Sequence, residues 1–158
     1  MKITNQTEQF EVRAGHALVA LAGCVSLEQA TDMVMRALVA ARNQGVKRLL
    51  VDARQLTGFP SPTVAERYFI VRGWAAVAGK EVEIAIVLQP HILDPDRFGI
   101  VVATNLGMRA DAFSSGSEAL AWLLSGRPAE VADSNQSLNP GLQAAGIPAN
   151  KSGTKENR

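Results

Sequence analysis

Lys47-Arg48-Leu49-Leu50-Val51-Asp52-Ala53-Arg54-Gln55-Leu56-Thr57-Gly58-Phe59-Pro60-Ser61-Pro62 is the stretch on which the reading of this chain turns. Val46–Asp52 has the short, continuously apolar centre of a strand covered on both faces, as the strands of a parallel sheet are. Residues 53–60 read as a loop. Ser61-Pro62 then reads as a helix start, with Ser61 as the cap and Pro62 at the first helical position. An acidic residue thus stands at the carboxyl end of a buried strand, and a hydroxyl stands at a helix N-terminus. In open α/β sheets, ligands and partners dock beyond the carboxyl ends of the strands. A helix N-terminus also favours negative charge, because free N–H groups and the macrodipole point there.

Upstream, Gln9–Arg13 and Ala17–Gly23 are strand candidates separated by a turn at Ala14-Gly15. Ser26-Leu27-Glu28-Gln29 has the pattern of a capping box, in which Gln29 reaches back to the Ser26 amide. Leu27, Ala30, Val34, Leu38 and Ala41 recur at helical spacing until Asn43-Gln44-Gly45. Downstream, the helix from Pro62 runs to about Ala78, and Glu83–Leu88 is the next apolar strand. Asp94-Pro95-Asp96 opens a helix that ends near Leu106-Gly107. Arg109–Phe113 is a short last strand, and Ser115-Gly116-Ser117-Glu118 is a second capping box. The last helix, Glu118–Leu124, carries Trp122 towards the core. The order β-β-α-β-α-β-α-β-α predicts an α/β fold, with a mixed, mainly parallel sheet of about five strands and four packing helices. Residues 1–125 form this domain. Residues 126–158 are rich in Ser, Asn, Gln, Gly, Pro and Ala and read as a flexible polar tail.

The chain has 158 residues, 47% of them hydrophobic, enough for one cored domain. Sixteen Lys and Arg against fifteen Asp and Glu leave a net charge of +1, so no nucleic-acid surface is expected. No apolar run approaches the roughly 20 residues that a transmembrane segment needs. Met1–Glu11 lacks the apolar region of a signal peptide, and a cytoplasmic location is expected. The single cysteine, Cys24, excludes an internal disulfide and is expected to be a buried small hydrophobe. His16 and His91 are the only histidines. His91 near Asp94 and Asp96 superficially suggests a metal site. Yet Pro95 and the helix start explain both carboxylates, and no ligand pair stands at i, i+4 spacing. No Walker loop, GxGxxG or Gly-x-Ser-x-Gly motif occurs. The sequence therefore predicts no metal, no cofactor and no catalytic residue set, and an enzyme is not expected.

Leu21-Ala22-Gly23, Ser26-Leu27-Glu28 and Leu50-Val51-Asp52-Ala53-Arg54 follow one another in an order seen elsewhere. With the closing Phe113-Ser114-Ser115-Gly116-Ser117-Glu118-Ala119-Leu120-Ala121-Trp122-Leu123, this set resembles the STAS superfamily, the anti-sigma-factor-antagonist-like domains. It covers about residues 9 to 124 and is most similar to the branch that shares features with the lipid-transfer CRAL-TRIO fold. The resemblance implies a non-enzymatic bacterial regulatory domain with a protein partner. It also implies a phosphorylatable serine at the strand-loop-helix segment, usually within Asp-Ser-(Ser/Thr)-Gly, modified by a partner kinase that doubles as an anti-sigma factor. Ser61 falls at that position. Pro60 stands in place of the acidic residue, and Pro62 and Thr63 in place of the small pair.

Ser61 therefore carries two readings. As a phosphosite it would gain about −1.5 to −2 charge beside a helix N-terminus; as a simple cap it is worth about 1 kcal/mol. Asp52 and Arg54 read either as a polar pair lining a partner or ligand cleft, or as a carboxylate bonding loop N–H groups beside a solvated arginine. Thr57 and Thr63 complete the candidate regulatory set. In the helix from Pro62, Val64, Tyr68, Val71, Ala75 and Ala78 share core spacing, with Phe69, Arg72 and Ala76 beside them. That apolar surface is either buried, or a dimer face, or the wall of an apolar-ligand site. The expected function is a regulatory or protein-interaction domain that docks a protein partner through residues 53–63. One alternative is a carrier of a small apolar or lipid-like ligand, held between the sheet and the helices from Pro62 and Pro95. The other is a self-associating homodimer without ligand.

Overall fold

Ala14-Gly15, with Gly15 at φ +87°, turns β1 (Thr7–Arg13) back onto β2 (His16–Cys24) as an antiparallel hairpin. From β2 onward strands and helices alternate: α1 (Leu27–Asn43), β3 (Arg48–Thr57), α2 (Val64–Ala78), β4 (Glu83–Val87), α3 (Phe98–Asn105), β5 (Ala110–Phe113) and α4 (Gly116–Ser125). The sheet order is β1-β2-β3-β4-β5, and β2 to β5 are all parallel. This is the five-stranded mixed α/β sheet with four helices that the sequence predicts. The computed structural model describes residues 6–125, and the tail expected over 126–158 lies outside them.

Each parallel strand is added on the same side of the one before, so right-handed crossovers put the three connecting helices on one face. Their buried sides meet there. Met33 and Leu38 of α1, Ala75 and Ala78 of α2 and Ala103 of α3 pack with Val19, Leu49, Val51 and Ile84. On the other face, Ala119 and Leu123 of α4 pack on Leu50, Ala85 and Val87. Successive residues of a strand point to opposite faces, so Leu49-Leu50-Val51 feeds both cores and is apolar without a break. Among the described residues no helix is long and apolar enough to cross a membrane.

α1 opens as its sequence predicts. Ser26 Oγ accepts the Gln29 amide at 3.1 Å, and Gln29 Oε1 accepts the Ser26 amide at 2.9 Å. The strand-loop-helix segment differs from its reading in two ways. First, residues 53–57 are strand, not loop. Gln55, Leu56 and Thr57 pair with Ala22, Gly23 and Cys24 after a register shift. From Ala20 to Ala22 on β2, the partner runs from Asp52 to Gln55 on β3, so β3 carries one extra residue. The extra residue returns Leu56 to the face of Val51 and Ala53, where it is buried. It also breaks the apolar alternation, which is why this part reads as loop.

Second, α2 begins at Val64, not Pro62, and its cap is Thr63, not Ser61. Thr63 Oγ1 accepts the Glu66 amide at 3.2 Å, and Glu66 Oε1 accepts the Thr63 amide at 2.8 Å. Three residues after Ser61 stands Val64, which cannot reciprocate, so the complete box forms at Thr63. α3 likewise starts at Phe98 rather than Pro95. Asp94 accepts the amides of Asp96 (3.0 Å) and Phe98 (2.8 Å), closing a turn, and Arg97 at φ +54° precedes the helix. α4 starts two residues early, at Gly116, with Ser115 Oγ accepting the Glu118 amide at 3.3 Å. Cys24, expected to be buried, is exposed, because it ends β2 beyond the last buried strand position, Leu21.

Candidate functional site

The parallel strands bring the carboxyl ends of β2 to β5 to one edge of the sheet. There Gly58, at φ +103°, takes the chain out of β3, and a Cβ on it would lie 2.5 Å from the Val25 carbonyl oxygen. The Thr57 carbonyl accepts the Val25 amide at 2.7 Å, which fixes the loop's departure point. Thr57 itself is exposed. Ser61 is exposed too, and its Oγ accepts from Nη2 of Arg67 at 2.8 Å. The same Nη2 donates to the Ile92 carbonyl at 3.1 Å, and Arg67 Nε stands 4.0 Å from Asp94 Oδ2. One guanidinium, a turn into α2, therefore ties the loop after β3 to the loop after β4. Its side chain is only 15% exposed.

Arg67 is a residue that sequence reasoning missed, although a signal existed. Arg67, Ile70, Val71 and Trp74 stand at i, i+3, i+4 and i+7, so one charged residue shares a stripe with three apolar ones. The stripe taken from the sequence is buried only at its C-terminal end, at Ala75 and Ala78. Val64 is 61% exposed, Tyr68 39% and the neighbouring Phe69 65%. The rings of Tyr68 and Phe69 meet edge-on, with centroids 5.2 Å apart. The first turns of α2 thus present an apolar patch next to Ser61 and Thr63.

Asp52 and Arg54 leave β3 on the opposite face, the one α4 covers. Arg54 donates from Nε (3.0 Å) and Nη2 (2.8 Å) to the two Asp52 oxygens, and its backbone amide donates to Oδ1 at 3.2 Å. The Arg54 side chain holds the Asp52 carboxyl below the usual carboxylate range. A Cβ on Gly116 would lie 3.4 Å from Arg54 Nη2, so this pair sits against the start of α4. The structure brings Ser61 and Thr63 together with Arg67, and it sets Asp52 and Arg54 apart from them across the sheet.

Between the sheet and the helices of the first face lies a cleft of about 360 Å³. Leu56, Ile84 and Ile86 form its floor, and Val34, Trp74 and Ile100 stand on its helical walls. Small-molecule sites span roughly 300–1,000 Å³. The cleft occupies the space between the sheet, α2 and α3 that the carrier alternative requires, and neither Asp52 nor Arg54 lines it. Four charged side chains do line it: Arg67, Asp94, Arg97 and Asp111. Arg97 and Asp111 form an ion pair. The Phe98 amide is the main reason that the Asp94 carboxyl stays below the usual range. Among the described residues, no group of three or more His, Cys, Asp or Glu side chains is placed to hold a metal ion.

No protein-family model matches the chain, and no curated protein matches it. Solved structures do resemble it. An anti-sigma factor antagonist from Mycobacterium paratuberculosis is similar over 75% of this chain and 94% of its own, at 15% identity and a TM-score of 0.53. An uncharacterised protein from Shewanella loihica, described as having a SpoIIAA-like fold, is similar over 78% of this chain and 97% of its own, at 16% identity and a TM-score of 0.46. The first likeness is one of fold: the chain shares its α/β fold with that anti-sigma factor antagonist.

Proposed function

We propose that this STAS-like domain is a non-enzymatic regulatory module that docks a protein partner at the carboxyl edge of its sheet. The docking surface comprises loop 58–63 and the first turns of α2. One observation carries the reading: Val64, Tyr68 and Phe69 stand exposed together on a helix that is held firmly at both ends. Thr63 caps one end, and Ala75 and Ala78 are buried at the other. Aromatic groups on a rigid support are the usual anchors of protein interfaces, and clustered exposed apolar groups mark interaction sites more than scattered ones do. The fold likeness to an anti-sigma factor antagonist supports a regulatory role.

Ser61 and Thr63 border the patch, Thr57 leads into the loop, and Asp52 with Arg54 brace the strand beneath it. Gln89 Nε2 reinforces that brace by donating to the Arg54 carbonyl at 2.7 Å. Ser61 is the proposed modification site. A phosphate there would meet the Arg67 guanidinium that already donates to its hydroxyl, and would add about −1.5 to −2 charge to the docking surface.

The test is a pull-down from native cells with the wild type, Ser61→Glu and Phe69→Asp, each shown to be folded by circular dichroism. The expected result is a protein captured by the wild type and depleted about tenfold or more by either change, a loss of about 1.4 kcal/mol in binding. Identical capture by all three would rule out docking here. Light scattering on the same samples distinguishes a foreign partner from a second copy of this chain. A wild-type dimer that Phe69→Asp dissociates would turn the reading into self-association.

A further inference from the structure

Protein interiors pack at a density near 0.75 and leave few voids larger than a water molecule. The cleft beneath α2 and α3 departs from that rule, and small residues keep it open from several directions at once. Ala30 on α1, Ala53 on β3, Gly99 and Ala103 on α3 and Ala110 on β5 all line it. Filling the space would need larger side chains on several elements, so the opening is written into the sequence and is not the result of one missing group. Water inside it finds few polar partners, because most of this wall is aliphatic or aromatic.

At one end of this wall lies Arg67. Its Nη2 is spent on Ser61 Oγ and the Ile92 carbonyl. Its Nε, 4.0 Å from Asp94, is beyond hydrogen-bond distance. Its Nη1 donates to no acceptor among the described residues. The other charges at the cleft are engaged, Arg97 with Asp111 and Asp94 with two backbone amides. Arg67, loosely ion-paired with Asp94, thus keeps Nε and Nη1 without a hydrogen-bond acceptor among the described residues, beside a largely apolar chamber. A guanidinium makes its strongest bonds to oxygen acceptors, two at a time where the geometry allows.

We propose that the cleft binds a small molecule with an apolar body and a single oxygen-bearing head, and that Arg67 receives the head. A carboxylate and an uncharged alcohol both meet that description. The proposal does not require protein docking, since the ligand lies behind α2 and the apolar docking patch on its exposed side. The two nevertheless share Arg67, whose Nη2 holds Ser61, and loop 58–63, whose Phe59 and Pro62 line the cleft.

The full chain, labelled with ¹⁵N, is titrated with sodium octanoate and separately with 1-octanol, and amide shifts are followed by NMR. The expected shifts are confined to residues on the cleft, Thr31, Trp74, Ile100 and Ala103 among them, with α4 unmoved. Arg67→Met then weakens octanoate at least tenfold. A smaller effect on octanol identifies the head as a carboxylate, and an equal effect shows that any oxygen acceptor suffices. Ala103→Leu narrows the chamber and weakens binding of both probes at least tenfold, with Ile86→Phe as the second narrowing variant should the first not fold. Absence of cleft shifts with both probes at about 1 mM, where a millimolar site is half-filled, would overturn the proposal. So would shifts centred on Val64 and Phe69, or binding that is undiminished in folded variants of both kinds.

Discussion

Thr63 Oγ1 and Ser61 Oγ are hydroxyls two residues apart, and they do different work. Thr63 accepts a helix amide that has no other partner, within a reciprocal pair with Glu66. Ser61 accepts from an arginine whose Nη2 keeps the Ile92 carbonyl if the hydroxyl is removed. Losing an N-cap oxygen costs about 1 kcal/mol, whereas an exposed hydrogen bond is readily replaced by water. Thr63→Ala should therefore destabilise the domain by about 1 kcal/mol in urea denaturation, and Ser61→Ala by no more than about 0.5 kcal/mol. The reverse order would restore Ser61 as the cap. Both boxes, at Ser26 and at Thr63, obey one local rule and were equally open to sequence reading. The second was obscured because Pro62 also suits a first helical position, which favours Ser61 as its cap. Arg67 was hidden for a different reason. Its task is defined by Ser61 and by Ile92, 25 residues away, and spacing within one helix does not reveal such partners.

Among the elements, β3 decides where the loop can stand. Its extra residue turns Leu56 inward, extends the strand to Thr57 and delivers the chain to Gly58 directly against Val25. A side chain at Gly58 faces two obstacles: the backbone is at φ +103°, and its Cβ would lie 2.5 Å from one backbone atom of Val25 and 2.9 Å from another. Each kind of strain costs on the order of 1–3 kcal/mol, and backbone cannot swing aside as a flexible side chain can. Gly58→Ala should lower stability by about 2–3 kcal/mol, measured as a lower urea midpoint with an unchanged slope. A loss below about 0.5 kcal/mol would mean that the chain leaving β3 does not approach the β2–α1 connection at Val25 this closely. The strand centre at Leu49-Leu50-Val51 was legible because burial on both faces leaves an unbroken apolar run. The bulge was not, since it exists only relative to β2, and no local pattern in 53–57 announces the register of a partner strand.

At the scale of the whole molecule, the two faces of the sheet are filled unequally. The alternation of strands and helices made the topology legible, and with right-handed crossovers it implies three helices on one side and α4 on the other. The cleft was foreseen in position only, as the space between the sheet and two helices. Its size depends on small residues from four elements facing one another, and each of those residues alone looks like ordinary core. The inequality has an energetic consequence. Leu123 is fully buried under α4 in a closed core, so Leu123→Ala leaves a new void and should cost about 3 kcal/mol. Ile100 is half-buried on the wall of a space that already exists. Its truncation enlarges that space without opening a new one, and Ile100→Ala should cost about 1 kcal/mol. Urea denaturation of the two variants, with no added ligand, compares the faces directly. Equal losses would mean that the three-helix face closes in solution as tightly as the α4 face. A difference of about 2 kcal/mol is what the structure predicts if Ile100 borders a space that already exists while Leu123 fills a closed one.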